Sequence, residues 1–334
     1  MTRDLALNVT EISGVAEARR AAAEVATKLG FGETGAGKVA LVVTELGTNL
    51  AKHTTSGRII LRPFHESSGT GLDILAVDKG PGMASVTECV RDGYSTSGTP
   101  GSGLGAIQRQ ADVFDIHSVP NLGTAILARL TATPLVHSRL SRFQIGTLCV
   151  PKSGEDVCGD AWTHLEQPTR MLLFLADGLG HGPGAAQAAR TAIDVVREHP
   201  TLTLTELVDA MHPALRATRG AATALAEVDE RQRVVRFLGV GNIAGRIVMA
   251  QGTRNFVSLP GTVGVDMRKP TPFEYPWSDD ALLILHSDGL ATHWNLERYP
   301  GLAFRHPSLI AGVLFRDHCR GYDDTTIVVV KKRT

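Results

Sequence analysis

Four short acidic motifs recur through the second half of the chain, where they read GD, ADG, SDG and DDTT. Asp177 and Asp288 come directly or closely after an apolar run, Asp323 shortly precedes one, and Asp160 closes the first motif. Carboxylates at strand ends can converge on one rim of a sheet when glycine lets the chain turn there. Such a rim can hold two hard divalent cations, which together activate water against a phosphate ester. The motifs therefore predict strands that end at a shared acidic rim.

An Asp-Gly pair taken singly is also a common turn. Several such pairs at strand edges favour a metal site instead, and the oxygen-only ligand set favours Mg²⁺ or Mn²⁺ over zinc. Asp323 and Asp324 are adjacent negative charges, and a cation would relieve their repulsion. Either of the two could be the ligand. His181 and His286 lie beside the acidic motifs, where packing or hydrogen bonding to a ligand is favoured over direct metal binding.

The length and charge of the chain limit the classes of function. With 334 residues it is long enough for two domains of roughly 150 residues. Lysine and arginine together equal aspartate and glutamate, so the formal net charge is zero, and Phe, Trp and Tyr make up only 5% of the residues. This balance argues against a polyanion as the main partner, so we expect no nucleic acid to bind.

The cysteines and the N-terminus bear on location. The four cysteines are far apart and form no CxxC pair, which favours reduced thiols and a cytoplasmic protein. The first 13 residues, MTRDLALNVTEIS, contain no apolar signal core. No apolar run approaches the roughly 20 residues of a membrane span, so we expect no membrane interaction.

The first half of the chain has a pattern of helices followed by short strands. Periodicity predicts helices over 14–29, 36–53 and 105–112 and strands over 58–63, 72–77, 114–119 and 124–130. Residues 132–142 show neither helical nor strand periodicity, and we interpret them as a linker. Beyond it, strands are predicted over 143–150, 171–176, 223–228, 234–240, 244–249, 282–286 and 326–331, and helices over 184–196, 204–216 and 307–315. The predicted fold class is α+β, with a second domain built as a sandwich with helices outside.

Three groups in the first half are candidate nucleotide contacts. Glu45, Asn49 and His53 are spaced by four residues, so they share one face of a predicted helix. A helix-borne amide can complete the oxygen shell of Mg²⁺, and a carboxylate one turn earlier can act as a base. Asp78 directly follows a strand and precedes a glycine-rich turn, where it could accept a hydrogen bond from an exocyclic amine. The run 101–105, GSGLG, opens a helix, and glycines there present amides to phosphates.

The order of these motifs, E-x-x-x-N, then DxGxG, then GxGxG and Gly123-Thr124, resembles the GHKL (Bergerat-fold) ATP-binding module of histidine kinases, gyrases and anti-sigma kinases. The stretches VVTELGTNLAKHT, DKGPGM and GSGLGAIQRQAD are most similar to the RsbT-like switch kinases. The resemblance covers residues 1–131. It implies an α/β sandwich with helices on one face of a mixed sheet, ATP with Mg²⁺ as ligand, and phosphate transfer to a Ser or Thr.

The same resemblance assigns roles to individual residues. It makes Glu45 the catalytic base, Asn49 the Mg²⁺ ligand and Asp78 the residue that recognises adenine. The remaining nucleotide-binding positions that it implies are Gly80, Gly82, Gly101, Gly103, Leu104, Gly105 and Thr124.

The second half resembles the SpoIIE/RsbX-type PPM phosphatases. The match is carried, in order, by CGDAW, FLADGLGHGPGAAQAA, GVGN, GTVGV, HSDGL and DDTTIVVV, and it covers residues 143–334. The resemblance implies an αββα sandwich with two Mn²⁺ or Mg²⁺ ions. Asp160, Asp177 and Asp288 would be catalytic metal ligands, Gly178 would bind through its carbonyl, and Asp323 would complete the site.

These inferences predict a bifunctional switch. The domain at 1–131 would phosphorylate a partner with ATP, and the domain at 143–334 would remove phosphate from a phosphoprotein. The resemblances imply a STAS-domain partner of an anti-sigma or stressosome-like relay, with a sigma factor or another switch protein as a further partner. The alternative is a phosphatase whose N-terminal module binds ATP and docks or sequesters a partner without kinase activity. Hydrolysis of a small phosphate ester is a third reading.

Overall fold

The computed structural model describes residues 4–66, 69–90, 103–133 and 141–333. The contacts divide the chain into two compact units. The first comprises Met1–Leu140 and Asn295–Asp317, and the second comprises Ser141–Trp294 and His318–Thr334. The sequence predicts a continuous second domain over 143–334, whereas in the structure residues Asn295–Asp317 pack within the first unit. None of the described helices is long and apolar enough to cross a membrane.

The first unit is a five-stranded sheet with helices, in the strand order β1-β2-β3-β5-β4. All its described strand pairs, β1–β2, β2–β3, β3–β5 and β4–β5, are antiparallel. The prediction of a mixed sheet is therefore wrong. The strands are β1 Leu5–Asn8, β2 Arg58–Glu66, β3 Gly69–Asp78, β4 Val113–Ser118 and β5 Thr124–Thr131. The helices before residue 140 are α1 Ile12–Lys28, α2 Glu33–His53, α3 Val86–Val90 and α4 Gly103–Gln110.

The core of this unit lies between the first two helices and one face of the sheet. Helix α1 buries Val15, Ala18, Ala22 and Ala26, at the three- and four-residue spacing of a single helix face. Strand β3 alternates, so that Leu72 and Ile74 join the same core while Leu75 points to the opposite face.

The second unit contains two sheets packed face to face. One has the order β13-β10-β9-β8-β7 with β16 beside β10, and the other has the order β12-β11-β17-β18-β6. Its main strands are β6 Phe143–Val150, β7 Asp160–Glu166, β8 Arg170–Gly178, β9 Ala221–Asp229, β10 Val234–Val240, β11 Ala244–Met249, β17 Leu282–His286 and β18 Thr325–Lys332. The short strands are β12 Gly252–Asn255, β13 Ser258–Leu259, β14 Gly261–Thr262, β15 Asp266–Met267 and β16 Phe273–Pro276. Helices α5 Pro183–Glu198 and α6 Leu204–Leu215 follow β8.

Two apolar clusters hold this unit together. Leu173, Phe237 and Val328 belong to a cluster formed by the facing surfaces of the two sheets. Phe174, on the other face of the first sheet, packs in a second cluster with α5 and α6. The predicted α+β class and the layered sandwich are confirmed. Strand β7 is the main element that periodicity did not predict, and it begins at Asp160.

The segment Asn295–Asp317 covers the second face of the first unit's sheet. It contains the 3₁₀ turns Leu296–Arg298 and Leu302–Phe304, and helix α7, Pro307–His318, which is buried from Pro307 to Arg316. The helix packs on strand β3 at Gly312, where a Cβ would lie 3.3 Å from Leu75 and 3.5 Å from Val77. This close packing groups the segment with the first unit.

A buried charge cluster lies under the same helix. The carboxylate of Asp73 is fully buried and accepts hydrogen bonds from Arg62 Nη1 at 2.8 Å and Arg129 Nε at 2.6 Å. Ser308 Oγ on α7 donates to the same carboxylate at 3.2 Å. Burial by itself would raise the pKa of Asp73, but the charges of Arg129 and Arg62 outweigh it and hold that pKa well below its usual value.

We expect Asp73→Ala to lower the free energy of unfolding of the first unit by about 3–5 kcal/mol, since it removes the carboxylate that faces two buried guanidinium charges. Urea unfolding followed by circular dichroism tests this. All three tryptophans, Trp162, Trp277 and Trp294, lie in the second unit, so their fluorescence reports on that unit alone.

The pH dependence of the same variant has a defined sign. The folded pKa of Asp73 is depressed, so its stabilisation is present above about pH 4 and is lost as the pH falls through the folded value. The stability difference between wild type and variant should therefore shrink in acid. Glu24→Ala, at an exposed position on α1, is the matched control and should change little. A difference of under 1 kcal/mol for Asp73→Ala would contradict the argument.

Candidate functional site

The acidic site of the second unit starts with two carboxylates on adjacent strands. Asp160 opens β7 and is the direct cross-strand partner of Asp177 at the end of β8. Both carboxylate oxygens of Asp160 are buried and make no hydrogen bond, although the nearby hydroxyls of Ser287 and Thr326 lower its pKa. A buried carboxylate without a partner is costly, so this pair calls for a compensating positive charge.

The other two predicted ligands add to the same field. Burial, together with the charges of Asp160, Asp288 and Asp323, raises the pKa of Asp177 to about 9. Burial likewise raises the pKa of Asp160 to about 7, and nearby carboxylates contribute. The four aspartates that the sequence singled out therefore act on one another electrostatically, as like charges at a single site do.

Asp288 is oriented by an amide on the neighbouring strand connection. Asn242 Nδ2 donates to Asp288 Oδ2 at 2.6 Å. Burial and the charge of Asp323 raise the pKa of Asp288, while Arg320 and Asn242 oppose that rise. Asn242 stands in the GVGN motif, but spacing alone did not assign it a role.

Asp323 and Asp324 have different surroundings. Asp324 is 3% exposed, and its two oxygens accept from the backbone N–H groups of Lys152 and Gly159, each at 2.9 Å. It thereby ties down the loop that leads into Asp160. Asp323 is half-buried and accepts from the backbone N–H of Asp324 at 2.9 Å. The geometry thus leaves Asp323 as the better candidate ligand and makes Asp324 a structural anchor.

Gly178 lies where the chain allows no side chain. A Cβ at this position would be 2.0 Å from the carbonyl oxygen of Ala185, so the first turn of α5 packs directly against the end of β8. This contact fixes the backbone of the ADG motif next to Asp177. Its carbonyl is therefore held in a defined place, as the predicted backbone ligand requires.

The residues fit divalent ions in their chemistry. The donors are all oxygens, Asp160 has two buried oxygens without partners, and the mutual repulsion would be relieved by a cation. Within 4–66, 69–90, 103–133 and 141–333, however, no three His, Cys, Asp or Glu side chains already enclose a metal ion. Metal loading would therefore draw the carboxylates closer together.

The two histidines beside the motifs have other partners. His286 is fully buried, its Nδ1 bonds to the carbonyl of Ser287 at 2.9 Å, and its Nε2 accepts from Trp294 Nε1 at 3.3 Å. Burial lowers the pKa of His286 to about 4, so it is neutral at physiological pH. His181 pairs with Glu155 at 2.6 Å. These contacts favour structural roles for both.

The predicted nucleotide contacts of the first unit also come together. Glu45 and Asn49 are half-buried on α2, and Gly103 opens α4 above them. A Cβ on Gly103 would lie 3.2 Å from Glu45 Oε2 and 3.8 Å from Asn49 Nδ2. The helix that follows the glycine-rich run therefore starts at the predicted base and the predicted Mg²⁺ ligand. His53, on the same helix, is exposed.

Asp78 ends β3 in a tight turn. Its carboxylate accepts from the backbone N–H of Gly80 at 2.7 Å. Burial raises its pKa, which Arg316 and backbone donors oppose. Gly82 has φ +70°, and a Cβ there would be 2.1 Å from the carbonyl of Val119, so only glycine fits.

The other predicted positions complete this group, except for one. Thr124 is buried, is the cross-strand partner of Asp78, and lies 2.8 Å from Ser118 between hydroxyl oxygens. Leu104 and Gly105 are buried on α4. Gly101 lies outside the described residues. The oxygen and glycine positions on α2, β3 and α4 therefore match in chemistry what a nucleotide with its Mg²⁺ would need.

One residue near this turn was not found from the sequence. Arg316 Nη1 donates to the carbonyl oxygen of Asp78 at 3.0 Å, from 238 residues further along the chain. No motif or spacing connects the two positions, so only the tertiary structure reveals the contact.

Each half of the chain matches a known protein family. The family "Stage II sporulation protein E (SpoIIE)" matches residues 167–333, and the family "Histidine kinase-like ATPase domain" matches residues 10–130. Serine/threonine-protein kinase RsbT of Bacillus subtilis (strain 168) is 34% identical over 114 residues, which are 34% of this chain and 86% of RsbT. Phosphoserine phosphatase RsbX of the same organism is 24% identical over 141 residues, which are 42% of this chain and 70% of RsbX.

Two solved structures are similar in fold. A chain from work on the bacterial stressosome, described as a modular system adapted to control secondary messenger signaling, has a TM-score of 0.54 at 29% identity. It is matched over its full length by 57% of this chain. A crystal structure of RsbX in complex with magnesium has a TM-score of 0.50 at 18% identity, covering 59% of this chain and 98% of that one. At that identity the RsbX structure supports the fold alone.

We expect divalent metal affinity to rise with pH. The pKa of Asp177 in the metal-free protein is raised to about 9, so this group is protonated at pH 7 and must release its proton to bind a cation. Between about pH 6 and 8.5 the Mg²⁺ affinity should increase by up to about tenfold per pH unit for each displaced proton. Calorimetry in two buffers of different ionisation enthalpy counts the protons. Binding that is independent of pH and buffer would contradict the assignment.

Asp323→Asn and Asp324→Asn should have opposite profiles and serve as controls for each other. Asp323→Asn should weaken Mn²⁺ binding at least about tenfold with little loss of stability. Asp324→Asn should destabilise the fold by about 1–3 kcal/mol, because an amide cannot accept both backbone N–H groups through two oxygens. Manganese titration and urea unfolding of both variants measure this. A larger loss of metal affinity in Asp324→Asn at unchanged stability would reverse the assignment.

Proposed function

The chain belongs to the SpoIIE family over its second half and to the histidine kinase-like ATPase domains over its first, and from this we propose a bifunctional phosphorylation switch. The second half is a PPM-type serine/threonine phosphatase domain. The proposal adds that the first half transfers phosphate from ATP to a serine or threonine of a STAS-domain partner, and that the second half removes it.

The phosphatase assignment rests on the pairing of Asp160 with Asp177. Their buried, mutually repelling carboxylates form an oxygen-only donor set, to which Asp288, Asp323 and the carbonyl of Gly178 would contribute. Bound Mn²⁺ or Mg²⁺ would supply charge neutralisation of the phosphoryl oxygens and an activated water. The protein's own part is to hold these donors in place: Asn242 orients Asp288, and Asp324 fixes the loop before Asp160.

The kinase assignment rests on the approach of Gly103 to Glu45 and Asn49. Asn49 would hold the Mg²⁺ that accompanies ATP, and the backbone N–H groups at the start of α4 would face the phosphates. Glu45, one turn from Asn49, would accept the proton of the attacking hydroxyl. Asp78 would recognise adenine through its carboxylate.

The STAS-domain partner is proposed from the likeness to RsbT and RsbX and from the similar chain of the stressosome work. Both halves of a switch that act on one partner gain from being in one chain, because tethering raises the effective concentration of each activity near that partner. An anti-sigma or stressosome-like relay is the setting in which opposed kinase and phosphatase activities are useful.

The decisive experiment incubates the full chain with γ-labelled ATP, candidate STAS-domain proteins and Mn²⁺. We expect label to appear on one Ser or Thr and to disappear on longer incubation. Glu45→Gln should reduce transfer by about 100-fold or more without abolishing ATP binding, because only the base is lost. Asp177→Asn should reduce removal by at least about 100-fold, so that label accumulates.

Each variant is the control for the other activity. Loss of label removal in Asp177→Asn with normal transfer, and the converse in Glu45→Gln, would establish two separate sites. If wild type binds ATP but never labels any partner, while Glu45→Gln changes nothing, the first half is a binding or docking module and the kinase proposal fails. Turnover of small phosphate esters far above that of the phosphoprotein would overturn the proposed substrate.

A further inference from the structure

The segment Asn295–Asp317 is attached firmly to the sheet that carries the candidate nucleotide site. Ser308 bonds to Asp73 on β3, and the backbone N–H of His306 donates to Asp115 Oδ2 on β4 at 2.7 Å. Asp73 and Asp78 belong to the same strand, so α7 runs along the strand whose end forms the proposed adenine contact. These bonds attach the segment to both β3 and β4.

Arg316 makes the contact nearest to the candidate site. Its side chain is 3% exposed, and its Nε and Nη2 donate to the Asp317 carboxylate at 2.9 and 2.6 Å. Tyr299 donates to the same carboxylate at 2.8 Å. The guanidinium is thus held in one orientation, with Nη1 aimed at the Asp78 carbonyl at 3.0 Å.

Two different segments of the chain approach the carbonyl oxygen of Asp78 closely. A Cβ on Gly123 would be only 2.0 Å from it, so the β4–β5 turn closes directly on this oxygen. Arg316 also donates to this oxygen, and its charge lowers the pKa of the Asp78 carboxyl. These contacts fix the backbone of Asp78, from which its carboxylate extends to the backbone N–H of Gly80.

The two ends of the segment lead to the acidic site. In the second unit the backbone N–H of Ala291 donates to the His318 carbonyl at 2.9 Å, and that of Arg320 donates to the Gly289 carbonyl at 2.9 Å. Leu290 and Cys319 form a β-bridge between these bonds. The segment thus connects two short stretches that pair with each other, 289–291 and 318–320. The first begins directly after Asp288, and the second ends shortly before Asp323.

From these contacts we propose that Arg316 is a positioning residue of the nucleotide site, and that the segment carrying it links nucleotide binding to metal loading at the acidic site. The inference rests on the proposed ATP site and goes beyond it, because it makes the two opposed activities dependent on each other. Linkage requires the effect to be reciprocal: if nucleotide changes metal affinity by some factor, metal changes nucleotide affinity by the same factor.

The positioning role is tested by calorimetric titration of ADP at a fixed excess of Mg²⁺. We expect Arg316→Gln to weaken ADP binding by about tenfold, as loss of one oriented charge-assisted contact does. Arg316→Lys should restore part of the affinity, since lysine keeps the charge but cannot bond to Asp317 and Asp78 with the same fork. Ser308→Ala is the matched control: it loosens the same helix at Asp73 and should leave ADP affinity within about twofold.

The linkage is tested by counting bound Mn²⁺ in equilibrium dialysis, with free Mn²⁺ held by a chelator buffer, with and without a non-hydrolysable ATP analogue. In wild type the analogue should shift the Mn²⁺ midpoint of the acidic site at least about fivefold. The shift should be much smaller in Arg316→Gln, whereas Ser308→Ala, which keeps the bond from the backbone of His306 to Asp115, should retain most of it. The Mn²⁺ bound by Asp177→Asn in the presence of the analogue measures the metal that binds together with the nucleotide, and it is subtracted.

The outcomes separate this inference from the function on which it rests. No nucleotide binding by wild type would overturn the ATP site and the inference with it. Normal nucleotide binding with an unchanged Mn²⁺ midpoint would overturn the linkage alone. Equal losses of ADP affinity in Arg316→Gln and Ser308→Ala would reduce Arg316 to a structural residue and overturn its positioning role. The dialysis of wild type needs no variant, so a folding defect in Arg316→Gln leaves the linkage testable.

Discussion

Repulsion between buried carboxylates is the constraint on which the second unit depends. Asp160 and Asp177 face each other across neighbouring strands, where burial raises the pKa of both carboxyls and the charge of Asp160 adds to the rise at Asp177. The charge of Arg320 opposes part of the rise at Asp288, while Asn242 at Asp288 and two backbone N–H groups at Asp324 hold the acids in place. Keeping such a cluster costs folding free energy, and a divalent cation bound there would offset that cost.

The two candidate sites use glycine for the same physical purpose. Gly178 lets the first turn of α5 reach the end of β8, and Gly103 lets the start of α4 reach Glu45 and Asn49. A side chain is excluded at Gly178, whereas at Gly103 a Cβ would only make a tight contact with Glu45. The chemistry then differs, since one site gathers carboxylates for metal ions while the other offers an amide, a single carboxylate and helix N–H groups for a nucleotide.

The segment Asn295–Asp317 changes how the chain is to be divided. By sequence it belongs to the phosphatase half, where it separates two predicted metal ligands. By its contacts it belongs to the first unit, where Gly312 and Ser308 pack on β3 and Arg316 reaches the end of that strand. The first unit therefore includes residues from both halves, and fragments cut at the linker would remove a helix from its sheet.

The sequence by itself determined the fold class, most helices and strands, and the candidate residues of both sites, because apolar periodicity and motif order are local properties of the chain. It predicted Asp160 and Asp177 as metal ligands but not strand β7, which pairs them, since the sequence of that strand, DAWTHLE, is mixed in polarity. Only the tertiary structure showed that Asp323 and Asp324 have different hydrogen-bond partners, found Asn242 beside Asp288, and placed Arg316 against Asp78. Those contacts join positions far apart in sequence, and which of them form is decided by the packing of sheets and helices.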